Sequence, residues 1–317
     1  MLVIGNPRAA HLQSIDTVRT LANIEIGLDP AWVKERAPGA DAIFVANFAR
    51  EPFQAIFPLA QKTRWVHSLS AGVDYMLTPE FVASEAPLTN GRGAFKDSLA
   101  EYAIAAMLFF AKDLRRLLRN QEARKWEPFD MRMLRGQTLG IVGYGEIGNA
   151  TAQLAASLGM RVLAVRRRPA LSESDPNLAA TYGMDGLPDM LAECDFVLVA
   201  AALTAETRGM MGAAEFTAMK PTAVVINVGR GPILVESALI DALQDGRIRG
   251  AALDVFDQEP LPPDHAFYGM ENVLLSPHCA DHIPGWLQLA MDVFLDNMRR
   301  FARGEPLRNI VDKKAGY

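Results

Sequence analysis

The chain has few cysteines. Only Cys194 and Cys279 occur among 317 residues; they lie far apart, and neither belongs to a Cys-x-x-Cys motif. The pattern therefore indicates neither a disulfide framework nor a zinc knuckle, and a reducing cytoplasm is the expected compartment.

The sequence also lacks an excess of positive charge and any apolar run of membrane-spanning length. The formal net charge of −5 argues against nucleic acid or an anionic membrane as the main partner. The most apolar stretch, 102–111, lies between Glu101 and Lys112 and is too short to cross a bilayer. Residues 1–5 carry no basic targeting segment and are interpreted as a strand. Half of the residues are apolar, and the length suffices for two domains.

Short apolar runs alternate with helical patterns along the chain, which predicts an α/β fold with parallel sheets. A helix from residue 97 is apolar on both faces, so burial between domains or subunits is expected. A long amphipathic helix from residue 285 is expected to return to the first domain. Strands are predicted at 2–4, 42–46, 65–68, 161–165, 196–200, 224–227, 250–255 and 273–275, and further helices at 31–36, 213–219 and 236–244.

The most informative motif is a Gly-x-Gly-x-x-Gly turn formed by Gly143, Gly145 and Gly148. A strand-like run at 139–142 precedes it and an Ala/Leu-rich helical pattern at 149–159 follows it. In this context the first glycine allows the tight turn, the second lets a pyrophosphate approach the backbone, and the third lets helix and strand pack closely. The N–H groups at the start of the helix then face the phosphates. The motif predicts a dinucleotide site.

Three polar residues follow the last predicted strands: Arg230, Glu259 and His278. Because the carboxyl ends of parallel strands converge on one crevice, all three could face one substrate. An arginine offers a permanent forked donor for a carboxylate. A histidine paired with a carboxylate stays protonated more readily, so it can give a proton to a carbonyl that receives hydride. Singly, each has a simpler interpretation as a surface or loop residue; together they favour catalysis.

With these motifs the chain resembles the D-isomer-specific 2-hydroxyacid dehydrogenases over nearly its whole length. The matching segments are Ser70-Ala71-Gly72-Val73-Asp74, the glycine turn, Met219-Lys220-Pro221, Asn227-Val228-Gly229-Arg230-Gly231, Ala252-Leu253-Asp254-Val255-Phe256 with Glu259-Pro260, and Ser276-Pro277-His278.

The resemblance implies two doubly wound parallel sheets, with a Rossmann-type cofactor domain at 95–284 inserted into a flavodoxin-like substrate domain at 1–94 and 285–317. It also implies that His278 is the acid/base, that Glu259 is its partner, and that Arg230 holds the substrate. The turn Ser70, Ala71 and Gly72, which alone would be interpreted as an ordinary strand-to-helix turn, would bind the substrate carboxylate as well. Asp254 would contact the nicotinamide carboxamide. The remaining predicted cofactor contacts are Gly143, Gly145, Glu146, Ile147, Gly148, Ala201, Val228, Gly229, Arg230 and His278.

One departure from the NAD-binding pattern concerns the ribose. A site that prefers NAD carries an acidic residue about twenty positions after the glycine turn, where it binds the 2′-hydroxyl. Here Arg166, Arg167 and Arg168 occupy that position. Guanidinium groups suit a 2′-phosphate, so NADP is favoured over NAD, and an exposed basic loop is the alternative.

A second departure follows His278, where Cys279, Asp281 and His282 replace the small and hydroxyl residues that are common in the family. His278, Cys279 and His282 could suggest a metal site, but their spacing fits no common zinc pattern, so no metal is expected. The sequence does not assign roles to Cys279, Asp281 and His282. It also leaves open which side chains select the substrate, the candidates being Phe48, Arg50, Met76 and Trp286.

The sequence therefore predicts an NADPH-dependent reductase of small 2-keto acids of the glyoxylate or hydroxypyruvate kind, expected as a homodimer. A phosphoglycerate dehydrogenase is a second possibility. A dinucleotide-sensing binding protein on the same fold is a third, which the presence of Arg230, Glu259 and His278 disfavours.

Overall fold

The computed structural model describes residues 1–46 and 50–317, apart from the side chains of residues 50–52. Phe48 and the side chain of Arg50 therefore lie outside the described residues. The chain divides into two compact units. Unit 1 comprises Met1–Phe95 and Ile283–Tyr317, and unit 2 comprises Lys96–His282.

Unit 1 contains a parallel sheet of five strands in the order β2-β1-β3-β4-β5. Strands β1, β3, β4 and β5 are buried along their whole length, and the inner strands β1 and β3 are entirely apolar, as expected for strands covered on both faces. The strands are β1 (Leu2–Ile4), β2 (Glu25–Gly27), β3 (Ala42–Val45), β4 (Trp65–Ser68) and β5 (Leu88–Asn90), with the helices α1 (Pro30–Arg36), α2 (Arg50–Ile56) and α3 (Pro79–Ala83).

Unit 2 contains seven parallel strands in the order β12-β11-β10-β9-β6-β7-β8. The strands are β6 (Thr138–Val142), β7 (Arg161–Val165), β8 (Ala180–Tyr182), β9 (Phe196–Val199), β10 (Val224–Asn227), β11 (Gly250–Leu253) and β12 (Val273–Leu275). The helices are α4 (Lys96–Ala111), α5 (Leu114–Glu122), α6 (Glu146–Ser157), α7 (Leu187–Glu193), α8 (Ala213–Ala218) and α9 (Glu236–Gln244). The strand order reverses beside β6, the strand that leads into the glycine turn, and ligands of such sheets bind at that point.

The last helix, α10 (Trp286–Arg303), belongs to unit 1, as its amphipathic pattern predicts. Its Phe294 ring stacks on Phe44 of β3, with centroids 3.9 Å apart. The helix ends at Arg303 and is followed by Gly304, whose φ of 69° is the left-handed conformation that glycine adopts easily. The predicted α/β fold with two parallel sheets is confirmed. Across the described part of the chain, no helix is both long and apolar enough to cross a membrane.

Candidate active site

The glycine turn joins β6 to α6. Gly143 has a φ of 94°, and a Cβ there would lie 2.5 Å from the backbone nitrogen of Ala201, so only glycine fits without displacing the backbone. Gly148 packs against the same turn: a Cβ there would lie 2.8 Å from the carbonyl oxygen of Gly143. The first and third glycines are therefore required by the packing of the protein itself.

Gly145 differs, because a Cβ at this position would meet no protein atom within 4 Å. The first helical hydrogen bond of α6 runs from the Asn149 N–H to the Gly145 carbonyl, 2.9 Å. The N–H groups of Glu146 and Ile147 at the helix start thus have no partner within the helix. Open space beside unpartnered helical N–H groups fits the pyrophosphate of a dinucleotide.

Arg230 lies just beyond β10 in a segment with little freedom. The Asn227 side chain donates to the Arg230 carbonyl (3.0 Å) and accepts from the Gly229 N–H (3.0 Å). A Cβ on Gly231 would come within 2.1 Å of the Phe256 carbonyl oxygen, so glycine is needed for the close approach of this segment to the end of β11. The Arg230 guanidinium donates from Nη1 to the Gly229 carbonyl, 2.9 Å. Val228, two residues before Arg230, is buried, whereas Arg230 is partly exposed.

His278 and Glu259 form a direct pair. His278 Nδ1 lies 2.7 Å from Glu259 Oε2, and Glu259 Oε1 accepts from the Phe256 N–H at 2.9 Å. Both glutamate oxygens are thus engaged, which fixes the carboxylate. With Nδ1 held by the glutamate, Nε2 of the imidazole is the nitrogen that can exchange a proton with a ligand. The predicted partners Glu259 and His278 are therefore brought together.

His278 and Glu259 also shift each other's pKa. The hydrogen bond that His278 donates to Glu259 raises the pKa of His278 above its ordinary value, although burial and the positive charge of Arg230 oppose the rise. Burial works to raise the pKa of Glu259, but the hydrogen bonds from His278 and Phe256 outweigh it, and the net shift is downward. The arrangement favours the charged form of each side chain, the imidazolium and the carboxylate.

Asp254 holds the loop that carries His278. Its side chain is only 2% exposed, and Oδ1 accepts from the Ser276 hydroxyl (2.6 Å) and from the N–H groups of Cys279 (3.0 Å) and Ala280 (3.1 Å). His278 itself has a φ of 50°, an uncommon conformation for a non-glycine residue that these bonds maintain. Sequence reasoning did not anticipate this internal role of Asp254.

The three arginines follow β7 directly. The Arg166 guanidinium donates to the hydroxyl of Ser172, and Arg167 Nη1 lies 3.5 Å from Glu206 Oε2. Arg168 is exposed. The basic cluster thus follows the second strand of the glycine motif, where the adenine ribose of a dinucleotide binds in such folds.

The turn at Ser70, Ala71 and Gly72 lies in unit 1. The Ser70 hydroxyl donates to the Gly72 carbonyl at 2.7 Å, and the Asn90 side chain donates to the Ala71 carbonyl at 2.5 Å. These bonds fix the turn from both sides.

The residues left without a role have varied environments. Met76 is fully buried in the core of unit 1, so its side chain is a packing element there. Trp286 packs on Phe95, with ring centroids 5.8 Å apart. Burial raises the pKa of Asp281, whose Oδ1 lies 3.7 Å from His282 Nε2. Within residues 1–46 and 50–317, no group of three or more His, Cys, Asp or Glu side chains is arranged to hold a metal ion.

Comparison with known proteins identifies the family. Residues 104–280 match the model of the D-isomer specific 2-hydroxyacid dehydrogenase NAD-binding domain. A glyoxylate reductase from Korarchaeum cryptofilum is 34% identical over 290 residues, which cover 88% of this chain and 85% of the relative. The crystal structure of an NADPH-dependent glyoxylate/hydroxypyruvate reductase from Sinorhizobium meliloti, in complex with NADP and sulfate, aligns with a TM-score of 0.85 at 27% identity and covers 100% of this chain and 99% of that one.

A D-isomer specific 2-hydroxyacid dehydrogenase from Xanthobacter autotrophicus, in complex with NADPH and MES, aligns with a TM-score of 0.81 at 30% identity, over 100% of this chain and 99% of that one. The family match, the fold and the glycine turn agree with one another. The chain therefore belongs to the D-isomer specific 2-hydroxyacid dehydrogenase family and is an NAD(P)-dependent oxidoreductase.

Proposed function

We propose that this protein reduces small 2-keto acids of the glyoxylate or hydroxypyruvate kind to D-2-hydroxy acids, with NADPH as the hydride donor. The observation that carries the proposal is the 2.7 Å contact between His278 Nδ1 and Glu259 Oε2, coupled in charge to Arg230. The glyoxylate reductases among its relatives and the NADP and NADPH complexes of its structural neighbours support the substrate class and the cofactor.

In this proposal the residues have separate tasks. The dihydronicotinamide supplies the hydride when it is bound. Arg230 binds the substrate carboxylate and orients the carbonyl group, and His278 Nε2 gives its proton to the carbonyl oxygen as negative charge develops there. Glu259 keeps the imidazole oriented and protonated. Asp254 contacts the nicotinamide carboxamide, and the turn Ser70, Ala71 and Gly72 binds the substrate carboxylate.

Two domains, whose bounds nearly coincide with those of units 1 and 2, would bind the substrate and the cofactor. We propose that residues 95–284 form the dinucleotide-binding domain and that residues 1–94 and 285–317 form the substrate domain. Gly145, Glu146, Ile147 and Gly148 would hold the pyrophosphate, while Ala201, Val228 and Gly229 would border the cofactor.

The experiment that tests the activity is a spectrophotometric assay. Purified protein, NADPH and either glyoxylate or hydroxypyruvate should give a decrease in absorbance at the nicotinamide band, and the product should be the D-isomer where C2 is chiral. A panel of keto acids would rank the substrates. NADPH binding without turnover of any keto acid in the panel would instead support a dinucleotide-sensing protein.

The preference for NADPH rests on Arg166, Arg167 and Arg168 after β7. Replacing Arg166 by aspartate should lower efficiency with NADPH by about 10- to 100-fold, because charge-assisted contacts to a phosphate contribute about 1.5–3 kcal/mol each. Efficiency with NADH should change less or improve. Steady-state kinetics with both cofactors measure the effect.

Arg161→Asp is the matched control for Arg166→Asp. It makes the same charge change at the beginning of β7, about 16 Å away along the strand, and should leave the cofactor ratio unaltered. A wild-type protein that uses NADH more efficiently than NADPH would contradict the preference.

We also propose that the protein is a homodimer. Ile104, Ala105 and Leu108 of α4 form an apolar groove with Leu154 and Leu158, which remain 37% and 39% exposed. A twofold interface uses the same patch on each copy, so a second chain can cover this groove with its own apolar groove residues. The segment 123–135, which follows α5, also exposes the apolar side chains of Trp126, Met131 and Met133.

Light scattering at micromolar concentration should therefore give twice the chain mass of 34.6 kDa. Leu158→Asp places a charge in the groove and should shift the mass toward that of a single chain. Leu171→Asp, at an apolar residue that is 63% exposed outside the groove, is the control and should remain a dimer. A wild-type mass of one chain would refute the proposal.

A further inference from the structure

A carboxylate that the sequence pattern does not mark lies beside the glycine turn. Asp175 follows β7 by ten residues, yet its Oδ2 accepts from the Tyr144 hydroxyl (2.7 Å) and from Asn149 Nδ2 (3.0 Å). Its Oδ1 accepts from the backbone N–H and the side-chain Nδ2 of Asn177, both at 3.0 Å. We call Tyr144, Asn149, Asp175 and Asn177 the Asp175 hub.

The number of hydrogen-bond donors around Asp175 determines whether its carboxylate can also accept a hydrogen bond from a ligand. A carboxylate offers about four acceptor positions, and four protein donors already fill them. Burial works to raise the pKa of Asp175, but the donors of the hub outweigh it and lower the pKa, so the group is ionised. It therefore has no acceptor position left for a ribose hydroxyl. Although it is an acid beyond the second strand, it is not placed to act as the acid of an NAD-preferring site.

The hub instead connects two parts of the cofactor site. Tyr144 lies between Gly143 and Gly145, and Asn149 is on the first turn of α6. Asp175 is on the loop that begins with the three arginines.

The connection continues from Asp175 to Arg166. The Asp175 N–H donates to the carbonyl of Ser172 (3.1 Å), and the Ser172 hydroxyl accepts from the Arg166 guanidinium. Ser172 is only 4% exposed, so this link is a fixed part of the loop. Hydrogen bonds thus link Tyr144 of the glycine turn to Asp175, Asp175 to Ser172, and Ser172 to Arg166.

From this we infer that the Asp175 hub positions the Arg166 guanidinium relative to the glycine turn. This positioning strengthens the binding of the 2′-phosphate of NADPH. The inference rests on the proposed NADPH preference. Tyr144, Asp175 and Ser172 are positioning residues, since they act through Arg166. The affinity for NADH, which has no 2′-phosphate, should change little when these residues are replaced.

The test compares dissociation constants for NADPH and NADH in Tyr144→Phe and Ser172→Ala, measured by nicotinamide fluorescence. Each variant removes one hydroxyl and should weaken NADPH binding by about 3- to 10-fold, the effect of one hydrogen bond. NADH binding should stay within about twofold. Ser172→Ala removes only the last link, so it tests the inference even if Tyr144→Phe disturbs the turn.

Tyr182→Phe is the matched control. It also removes a tyrosine hydroxyl that contacts a carboxylate in unit 2, that of Glu193 at 3.1 Å, but this carboxylate is outside the hub. Both dissociation constants should remain at the wild-type values.

A double-mutant cycle separates positioning from general support. If the hub acts through Arg166, Tyr144→Phe should have no further effect on NADPH binding in an Arg166→Ala background. Equal losses for NADPH and NADH, additive effects in the cycle, or unchanged NADPH binding would overturn the inference. A greater loss for NADH than for NADPH would overturn it as well, because NADH has no 2′-phosphate for Arg166 to bind.

The binding data also distinguish a failure of the proposed NADPH preference from a failure of the inference about the hub. A wild-type protein that binds NADPH no better than NADH refutes the preference and the hub together. A wild type that prefers NADPH, with variants that retain the full preference, refutes the hub alone.

Discussion

His278→Ala should lower the turnover of keto acids by about 10²–10⁴-fold, the usual contribution of a positioned general acid. Hydride addition to a carbonyl leaves an alkoxide, which is too basic to be released into water at low cost. Nε2 is the only nitrogen of this imidazole that can supply the proton, because Nδ1 is bound to Glu259 at 2.7 Å. NADPH should still bind, so fluorescence titration would separate loss of chemistry from loss of fold.

The chain provides a matched control for His278→Ala. His265 Nε2 lies 3.0 Å from Glu236 Oε1, a second His–Glu pair in unit 2 that is outside the proposed site. His265→Ala should therefore retain wild-type turnover. A near-normal kcat in His278→Ala would remove His278 from proton delivery, whatever the fold.

Glu259→Gln should move the pH dependence of reduction. Reduction needs a protonated His278, so its rate falls as pH rises through the pKa of His278, and the hydrogen bond to Glu259 raises that pKa. Without the carboxylate the fall should occur at lower pH, with substantial activity retained below it. Oxidation of the hydroxy acid needs neutral His278 and declines at low pH, so its limb should shift downward as well. Profiles that coincide with those of the wild type would contradict the role of Glu259.

The sequence predicts most of the fold because buried strands leave a strong pattern. Strands such as Trp65–Ser68 and Val224–Asn227 are completely buried and begin with apolar residues, and their predicted bounds agree with the observed ones. The three strands that the pattern missed are β2, β5 and β8, each of three residues and each at the edge of a sheet. Two of them, β2 and β8, are only partly buried, so no apolar run marks them.

The proposed site follows the same logic. Arg230, Glu259 and His278 could be grouped because parallel strands bring their carboxyl ends together, whatever the loops between them do. The contacts of Asp175 with Tyr144 and Asn149 could not be predicted in this way, since an irregular loop brings together residues 31 and 26 positions apart. The anchoring of the His278 loop by Asp254 Oδ1 likewise depends on backbone N–H directions, which composition and periodicity do not encode.

Arg230→Lys should lower kcat/KM for keto acids by about 10²–10³-fold, the effect of removing a donor aimed at developing negative charge. Lysine keeps the charge but loses the planar fork that binds a carboxylate through two parallel bonds. We expect a raised KM, because carboxylate binding weakens, and a lowered kcat, because the carbonyl is no longer held in line with the hydride donor. Cofactor affinity should change little.

A second substitution separates the charge of Arg230 from its shape. The positive charge of Arg230 lowers the pKa of His278, so Arg230→Gln should move the decline of reduction to higher pH, whereas Arg230→Lys should leave it in place. Arg249→Lys is the control: this partly buried arginine donates to the Phe110 carbonyl at 2.6 Å, before the start of β11 and outside the proposed site. It should not alter KM. An unchanged KM for keto acids in Arg230→Lys would mean that another group binds the substrate carboxylate.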